Sequence, residues 1–524
     1  MGAGGGCSSV EWIGFAVQKP SVLALRAHAP RRPAVRLAHN PIDHLYFYAA
    51  YQPDALAIES PNGRMTFGEL NTRVRSVAAR LRAMSVGAGD IVATHIADRA
   101  ADWIITLAVM HEAAVSASIF GYLPLPPALC AGHVLSDRAL DARDVAGAPV
   151  TCVDSSWFEP AAAVGIAPRD FDDDHALLRL TLTSGTTGAS RVVPGSVAQR
   201  VGRSSEQVAK IRWRHELSLM GLGSTGGYNC ALQALLEGVP LYHATSPADA
   251  LELLHRSPIA SLLGSPMQLA ALLEPLRAAT RRPTSLREIT VAGASPSSRL
   301  LDALRAALCA RIELVYGSTE VGTVSRLLTH QTGLPDGAAG YLLPGARAEV
   351  VDERHQPMHS GEEGLLRLRT RYMADAYFGE TPSSAFRDGW FYPGDRAIVR
   401  EDGLLILRGR NSEVINRDGV KLDPDHIDRT ALALDTVIDA AAFAFENADG
   451  IEDLALALVT AGDFTLETLQ RLLVKALGPT RLPSCYVSLP SIPRNAMGKV
   501  LRAQLRSEFG AQARDATRPA TTKS

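Results

Sequence analysis

The sequence predicts an α/β protein, and three observations support this prediction. Short apolar runs alternate with longer stretches of helical period from about residue 41 onwards. After about residue 340 the pattern changes to short strands separated by tight turns. A shorter α+β segment follows residue 410 and continues to about residue 508. Because alternating β and α elements place helices on the faces of parallel sheets, we expect such sheets first, then a small β unit and a small α+β domain.

The first clear element pair lies in MTFGELNTRVRSVAARLRAMSVGAGDIVATHI, residues 65–96. A turn precedes an amphipathic helix, a glycine-rich segment ends the helix, and a strand follows. The apolar residues that share one face of this helix, and are therefore predicted to be buried, are Leu70, Val74, Val77, Ala78 and Leu81.

The same alternation recurs further along the chain. It predicts strands in GVPLYHA, ASLLGS, REITVAGA and IELVYGSTE, with helices in PMQLAALLEPLRAA and SSRLLDALRAALC. The later β unit is predicted from GARAEVVDERHQPMHSGEEGLLRLRT and GWFYPGDRAIVREDGLLILRGR.

The two ends of the chain differ from the rest in composition. Residues 1–40 are rich in arginine after Pro20 and nearly free of acids, so we expect an extension that is disordered rather than a transit segment, because the serine content of transit segments is missing. Residues 511–524 are polar and are predicted to form a disordered tail.

Composition and charge exclude several classes of protein. The 524 residues are 46% apolar and carry a formal net charge of -2, which gives no reason to expect nucleic acid or an anionic membrane as a partner. The six cysteines are scattered without a CxxC pair, so we expect neither disulfides nor zinc, and a cytoplasmic location fits best. Prolines interrupt the weakly charged residues 113–131, so no membrane span is predicted.

One short segment carries a chemical signal. LTLTSGTTGASRVV, residues 180–193, joins a strand to a loop of glycines and hydroxyl residues and then to an arginine. Backbone N–H groups and hydroxyls in such a loop can surround a phosphate. The P-loop pattern GxxxxGK(S/T) does not fit, because TTGASR follows Gly185, so the NTPase hypothesis fails on spacing.

This segment resembles the phosphate-binding loop of the adenylate-forming (ANL) superfamily, which includes acyl-CoA synthetases, aryl-acid ligases and stand-alone adenylation enzymes. The family form is (S/T)SG(S/T)TGxPK. Residues 183–188 match it fully, whereas Ser190 replaces the usual Pro and Arg191 the usual Lys. Further matches follow in family order: VAGASP, VYGSTE, GWFYPGD, LILRGRNSEVINRDGVKLDPDHID and IPRNAMGKVLRAQL.

The resemblance implies the complete fold and a set of site residues. The fold would be a large N-terminal domain of doubly wound α/β subdomains plus a small β-barrel-like subdomain (residues 41–410), a hinge (411–413) with Ser412 at its centre, and a small mobile α+β C-terminal domain (414–510). Catalytic roles would fall to Lys499, Thr186 and Glu320, and the metal, Mg²⁺, would be held by Glu320 and Thr183. Contacts to ATP would come from Thr183, Ser184, Gly185, Thr186, Thr187, Gly188, Arg191, Gly293, Ala294, Ser295, Tyr316, Gly317, Ser318, Thr319, Asp395, Arg410 and Lys499.

The resemblance also implies the reaction. A carboxylic acid is activated by ATP to an acyl-adenylate, pyrophosphate leaves, and the acyl group passes to the thiol of coenzyme A or of a carrier protein's phosphopantetheine. Gly419 would line the thiol tunnel, although Asp418-Gly419 is also a strong hairpin signal. The partners would be a small carboxylic acid and, for the second acceptor, a free acyl carrier protein, with the enzyme itself a stand-alone monomer or homodimer.

The acyl group is less well defined by the sequence. Aligning ALLEG (234–238) with the family's helix end puts Thr225 near the place where α-amino-acid enzymes carry an Asp, so an amino-acid substrate loses support. Aryl and aliphatic acids both stay open. The predicted pocket residues are Thr225, Gly226, Tyr228, Met267, Gly293 and Gly317.

Two other functions compete with the ligase. An oxygenase of the luciferase type would adenylate its substrate and then oxidise it, but no dedicated oxygen site is visible in the sequence. An inactive nucleotide-binding regulator is suggested by the departures at Ser190, Arg191, Pro393 and Asp418, and opposed by the presence of Glu320, Asp395, Arg410 and Lys499.

Overall fold

The computed structural model describes residues 40–516 except 122, 161–165, 184–189, 209–214, 310, 332, 381–382, 412, 414, 418–419, 448–450, 479–480 and 496–497. Its helices are α1 Ile42–Tyr51, α2 Phe67–Ala83, α3 Arg99–His111, α4 Val197–Val208, α5 Thr225–Glu237, α6 Pro247–Arg256, α7 Pro266–Ala278, α8 Ser298–Ala307, α9 Pro424–Ala431, α10 Leu466–Leu477 and α11 Arg502–Ala516.

The strands begin in the first α/β region with β1 Leu56–Ser60, β2 Gly63–Thr66, β3 Ile91–His95, β4 Val115–Ser118, β5 His133–Ser136, β6 Val150–Cys152, β7 Leu177–Thr183 and β8 Arg191–Ser196. The central region adds β9 Glu216–Ser218, β10 Leu241–Tyr242, β11 Ser261–Gly264, β12 Glu288–Val291, β13 Ile312–Ser318 and β14 Gly322–Leu328. The later strands are β15 Ala338–Leu342, β16 Arg347–Val351, β17 Glu363–Arg369, β18 Phe386–Arg387, β19 Trp390–Phe391, β20 Asp395–Val399, β21 Leu404–Arg410, β22 Ile415–Arg417, β23 Val420–Leu422, β24 Val437–Glu446, β25 Glu452–Thr460 and β26 Cys485–Ser488.

Helix α2 illustrates how local sequence produces these elements. It begins at Thr66, whose side chain accepts a hydrogen bond from the backbone of Glu69 while the Glu69 side chain accepts one from the backbone of Thr66, which forms a capping box. All five residues predicted to form its apolar face are buried. The other segments predicted as strands or helices in the α/β region contain β10, β11, β12 and β13, and α7 and α8, so these predictions are confirmed too.

Two sheets carry the large N-terminal region in the part of the chain described. One has the order β6-β5-β3-β4-β7-β8 and is parallel apart from its β7–β8 edge. In the other, β10, β9, β11, β12 and β13 run parallel, and strands β14 to β21 continue the same sheet in antiparallel pairing. The predicted α/β class is confirmed, and the later β unit is the antiparallel extension of a parallel sheet.

The C-terminal segment has apolar cores of its own. Strands β24, β25 and β26 form a separate sheet, and two clusters of buried residues lie within 415–513. One cluster includes Ala513, so the predicted start of the disordered tail is corrected for residues 511–516: α11 continues to Ala516 because its last turns still bury an apolar side chain. Residues 517–524 lie outside the described part of the chain.

The boundary at residue 40 is also corrected. Asn40 is buried, and its side-chain amide donates hydrogen bonds to the carbonyl oxygens of Met110 and Arg169 at 2.9 Å. Asn40 therefore belongs to the folded part of the chain. Among the helices of the described residues, none has the length and apolar character needed to cross a membrane.

The junction between β14 and β15 depends on a glycine. Gly340 has a φ of 105°, and a Cβ atom there would lie 2.2 Å from the carbonyl oxygen of Arg326. We expect Gly340→Ala to lower the free energy of unfolding by about 3 kcal/mol, because an unfavourable φ and a backbone clash act together. Urea unfolding followed by tryptophan fluorescence measures the loss.

Gly361→Ala is the matched control for this prediction. Gly361 has a φ of 88° but open space around the position of a Cβ. This variant should lose only the conformational part, about 1 kcal/mol. Equal losses in the two variants would contradict the role given to the close approach at Gly340.

Candidate active site

Five of the residues predicted to contact ATP lie together where strands end. Thr183 ends β7, Gly293 follows β12, and Ser318 ends β13. These residues, together with Gly317 and Thr319, line one cavity of about 240 Å³. Carboxyl ends of strands in open α/β sheets are the usual place for ligand binding. The structure thus brings together residues that lie more than a hundred positions apart in the sequence.

The phosphate loop is described only at its edges. Thr183 and Arg191 face each other across the β7–β8 pair, and the Thr183 hydroxyl donates to the Arg191 carbonyl at 3.5 Å. The predicted residues Ser184, Gly185, Thr186, Thr187 and Gly188 lie outside the described residues. Their roles stay predictions.

Arg191 is linked to Glu320 through a tyrosine that sequence reasoning missed. The guanidinium of Arg191 donates to the hydroxyl of Tyr377 at 3.3 Å and lies over its ring at 4.8 Å. The same hydroxyl donates to Glu320 Oε1 at 2.9 Å. Burial, reinforced by the Glu320 carboxylate, raises the pKa of Tyr377, so its hydroxyl stays a donor. No local sequence pattern identifies Tyr377, because the two residues that it contacts, Arg191 and Glu320, are distant from it in the sequence.

A second polar group forms around Asp395. Strand pairing sets Asp395 opposite Arg410, and their carboxylate and guanidinium are 2.8 Å apart. The hydroxyl of Tyr316 donates to the other carboxylate oxygen, and Arg410 also donates to the Pro393 carbonyl at 2.8 Å. Burial raises the pKa of Asp395, while the Arg410 charge opposes the shift. Tyr316, Asp395 and Arg410, all predicted to contact ATP, are therefore joined to one another through Asp395.

Lys499 lies beside this group. Its Nζ is 3.6 Å from Glu413 Oε1, and Asp395 is close enough to affect its charge. Burial, followed by the repulsion of Arg410, lowers the pKa of Lys499, and nearby carboxylates oppose the shift. The loop is fixed by Asn495, whose side chain accepts from the Lys499 backbone N–H at 2.9 Å. The structure therefore brings a C-terminal motif to the Asp395 side of the N-terminal region.

The turn that carries Glu320 is held by one arginine, which sequence reasoning also missed. Arg203, on α4, donates to the carbonyl oxygens of Thr319 at 2.8 Å, Glu320 at 2.6 Å and Tyr372 at 2.7 Å. Burial lowers the pKa of Arg203 to about 9. We call these three contacts the Arg203 clamp. The only signal in the sequence is that Arg200 and Arg203, three positions apart, share one face of α4, and both are buried.

Four of the residues predicted for the acyl pocket line this cavity. Thr225, Gly226, Gly293 and Gly317 line the cavity, and the Thr225 hydroxyl donates to the Thr319 hydroxyl at 3.0 Å. Ala294 and Ser295 follow Gly293 in the same turn, with Ser295 exposed.

Two predicted pocket residues do not line the cavity. Tyr228 is fully buried against Trp103 and the guanidinium of Arg179, because the cavity-facing positions of α5 are 225, 226, 229, 230 and 233, which follow the helical period. Met267 is 44% exposed and lies against Gly498. Neither residue therefore lines this cavity, and their assignment to the acyl pocket stays a prediction.

The inner end of the cavity is lined by charged residues that were not predicted. Glu216, Glu288 and Arg326 contribute to it, with Asn229 and Gln233 from α5. Burial raises the pKa of Glu216 to about 7, with Arg326 opposing the shift. Strand residues of this kind carry no motif, because their common position arises only from sheet pairing.

The predicted hinge and tunnel residues, Ser412 and Gly419, lie outside the described residues. The flanking strands β22 and β23 pair with Arg417 opposite Val420. The described residues hold no group of three or more His, Cys, Asp or Glu side chains that could bind a metal.

The half-buried Glu216 makes stability depend on pH. A carboxyl whose folded pKa is raised stabilises the fold below its unfolded pKa, and this contribution is lost as the pH rises through the folded value, here about 7. The glutamine in Glu216→Gln cannot ionise. The difference in Tm between this variant and the wild type should therefore increase in favour of the variant by roughly 2 °C as the pH is raised from about 5 to about 8. Differential scanning fluorimetry at a series of pH values measures this difference.

Glu252→Gln is the control for the pH series, since the Glu252 side chain is 62% exposed. Its Tm difference from the wild type should not vary with pH. Asp102 and Asp428, whose pKa values burial raises to about 6 and about 7, titrate in every variant and cancel in the difference. A pH-independent difference for Glu216→Gln would contradict the buried, uncompensated carboxyl.

Known proteins resemble this chain over most of its length. A fatty acid–[acyl-carrier-protein] ligase, ScoC from Streptomyces coeruleorubidus, is 26% identical over 497 residues, 88% of this chain and 95% of that protein. A 4-chlorobenzoate–CoA ligase from Arthrobacter sp is 26% identical over 508 residues, 90% of this chain and 95% of that protein. The o-succinylbenzoate CoA synthetase MenE of Bacillus subtilis has the same fold: its complex with the acyl-adenylate OSB-AMP matches with a TM-score of 0.79 and 22% identity, covering 88% of this chain and 97% of MenE.

The family model described as AMP-binding enzyme matches residues 47–378, more than half of the chain. This stretch contains the phosphate-loop segment, the turn with Glu320 and Tyr377. The resemblance to adenylate-forming enzymes is thereby confirmed, and the chain belongs to the AMP-binding enzyme family.

Proposed function

We propose that this protein uses ATP to activate a carboxylic acid as an acyl-adenylate and then transfers the acyl group to a thiol. The observation that carries the proposal is the position of Lys499 beside Glu413 and near the Asp395–Arg410 pair, whose other partner, Tyr316, is close enough to Glu320 to interact with its charge. Family membership and the ligases among its relatives support the same reaction class.

In the first step, a carboxylate oxygen of the substrate attacks the α-phosphorus of ATP. A bond forms between them, the bond from the α-phosphorus to the bridging oxygen breaks, and pyrophosphate leaves with the electron pair. The reacting groups are all anionic, so the site must provide cations that stabilise the transition state. Lys499 and Arg191 are the cations proposed for this task.

The nucleotide fits the residues present. The Ser318 hydroxyl is buried and has no hydrogen-bond partner in the described part of the chain, and an orphaned polar group next to the cavity is available to a ligand. We propose that Asp395 and Arg410 bind the ribose and that Tyr316 contacts adenine. Gly293, Ala294, Ser295 and Gly317 would complete the nucleotide site, together with Thr319 and the loop residues 184–188.

Magnesium also fits the donor set. Mg²⁺ binds ATP phosphates and keeps several waters, so it needs only one or two protein ligands, and Glu320 with Thr183 would be sufficient. Bound there, it would neutralise phosphate charge. Tyr377 orients the Glu320 carboxylate by donating to Oε1, which leaves the other oxygen for the cation.

In the second step, a thiolate attacks the acyl carbonyl carbon, the thioester bond forms, and AMP leaves with the electron pair of the broken bond. We propose that residues 414–510 turn about a hinge at 411–413 between the steps, with Ser412 at its centre and Gly419 near the incoming thiol. The acceptor is coenzyme A or a carrier protein, since both classes occur among the relatives. Incubating the enzyme, ATP and acid with either acceptor, and measuring the thioester by mass spectrometry, distinguishes them.

Lys499→Ala tests the first step. We expect acid-dependent exchange of pyrophosphate into ATP to fall by about 10²- to 10³-fold, as for loss of one preorganised charged donor. Lys475→Ala, in an exposed position of α10, is the control and should keep the wild-type rate. Undiminished exchange in Lys499→Ala would refute the role of this lysine.

Tyr377→Phe tests the link between Arg191 and Glu320. Removing the hydroxyl leaves Glu320 Oε1 without its donor, so the exchange rate should fall by about tenfold and more Mg²⁺ should be needed for half-maximal rate. The measurement is a magnesium titration of the exchange reaction. Tyr341→Phe, at a 38% exposed position, is the control. An unchanged magnesium requirement would mean that Tyr377 does not position Glu320.

A further inference from the structure

The cavity extends along the strands away from the nucleotide residues. On β12, the alternate residues Glu288 and Thr290 line it, followed by Ala292 just beyond the strand and then Gly293 at the outer end. Glu288 and Ala292 are four positions apart, which corresponds to about 13 Å at the usual rise of a strand. The cavity therefore has an outer end at the nucleotide site and an inner end at the beginning of the strands.

Two carboxylates lie at the inner end, one on each side of Ser261. Ser261 pairs with Glu216 on one side and with Glu288 on the other, so the three residues form a row across β9, β11 and β12. All three line the cavity. A group at the far end of a substrate would meet this row.

The charges at the inner end do not balance. Glu288 pairs with Arg311, and Glu313 pairs with Arg326. For Glu216 the described residues provide neither a hydrogen bond nor an ion pair, although Arg326 is near enough to interact with it. Among the described residues, Glu288 and Glu313 therefore each have a guanidinium partner, whereas Glu216, which lines the cavity with Glu288 and Arg326, has none.

Helix α5 adds a second unsatisfied acceptor. Asn229 is only 5% exposed and lines the cavity, and its Oδ1 has no hydrogen-bond partner among the described residues. A buried polar atom without a partner is costly, and a ligand that donates a hydrogen bond would remove that cost. Asn229 thus points to a donor independently of the carboxylates.

We propose that the carboxylic acid bound here carries a protonated amine at the end remote from its carboxylate, and that this ammonium group pairs with Glu216. This inference rests on the proposed function, because it places the substrate carboxylate at the nucleotide end of the cavity. An ammonium group supplies both the missing positive charge and donors for Asn229. The elevated pKa of Glu216 agrees with a buried carboxyl that lacks its counter-charge.

Other distal groups fit the inner end less well. An unsubstituted alkyl or aryl end would bury Glu216 and Asn229 without partners. A distal carboxylate could use Arg326, whose Nε also lacks a partner, but it would add a second unpaired negative charge. The ammonium group of an α-amino acid would lie beside the reacting carboxylate. It would be about 13 Å along the strands from the level of Glu216, and so would not pair with it.

The test compares matched acids in pyrophosphate exchange. At each of several chain lengths, the full-length enzyme receives an ω-amino fatty acid, the unsubstituted acid, the ω-hydroxy acid and the dicarboxylic acid. At the best length, kcat/KM for the ω-amino acid should exceed that for each of the others by about tenfold or more, the effect of one charged hydrogen-bonded pair. Higher kcat/KM for the unsubstituted, hydroxy or dicarboxylic acid would overturn the proposal.

Glu216→Gln tests whether the preference for the ω-amino acid depends on Glu216. This variant should lower the ratio of kcat/KM for the ω-amino acid to that for the unsubstituted acid by about tenfold or more, because the ion pair is lost and the shape is kept. Glu252→Gln, at an exposed position, should leave the ratio at its wild-type value. An unchanged ratio in Glu216→Gln would overturn the proposal even if the wild type prefers amines.

A binding measurement separates this proposal from the proposed function. Isothermal titration calorimetry with the ω-amino acids, without ATP, should detect binding to the wild type and at least about tenfold weaker binding to Glu216→Gln. If no acid supports exchange but this difference is present, the ligase function fails and the amine site stands. If exchange occurs with unsubstituted acids and ω-amino acids bind no better than they do, the ligase function stands and the amine site fails.

Discussion

The geometry of this site depends on one buried guanidinium. The Arg203 clamp satisfies three carbonyl oxygens with a single rigid group, and two of these belong to the turn between β13 and β14. A Cβ at Gly317 would lie 2.1 Å from the Gly322 carbonyl oxygen, so the two strands approach as closely as glycine permits. The clamp and the close approach together fix Glu320 relative to α4, which follows the phosphate-loop segment in the chain.

The same turn contacts both the cavity and the phosphate side of the candidate site. Thr319 meets the cavity and accepts a hydrogen bond from the Thr225 hydroxyl, whereas Glu320 faces Tyr377. A shift of this turn would therefore move the cavity entrance and the phosphate side at once. On the opposite side, Arg502 donates to Glu413 at 3.0 Å and to Asp428 at 2.7 Å, and Glu413 in turn lies next to Lys499. Buried arginines thus position both the carboxylate and the cation of the site.

Sequence reasoning succeeded where the signal is local and failed where it arises from pairing. The apolar face of α2 follows from the helical period, and Asp395, Arg410 and Glu320 follow from short motifs. Tyr228 was predicted to line the pocket, but its helix phase was not known, and that phase turns it towards Trp103. Glu216 and Glu288 are 72 positions apart and become neighbours only through the strand between them, which no motif specifies.

The inner end of the cavity shows how stability and chemistry oppose each other. A carboxyl group buried without a counter-charge costs folding free energy at neutral pH, since its proton is bound more tightly in the folded state than in the unfolded chain. An apolar residue at position 216 would avoid that cost and would still line the cavity from β9. The charge is therefore useful only when a ligand supplies the missing partner. On the amine proposal, the selectivity of the cavity would depend on its inner end, where strand pairing gathers the carboxylates, more than on the glycine-rich segment at its entrance.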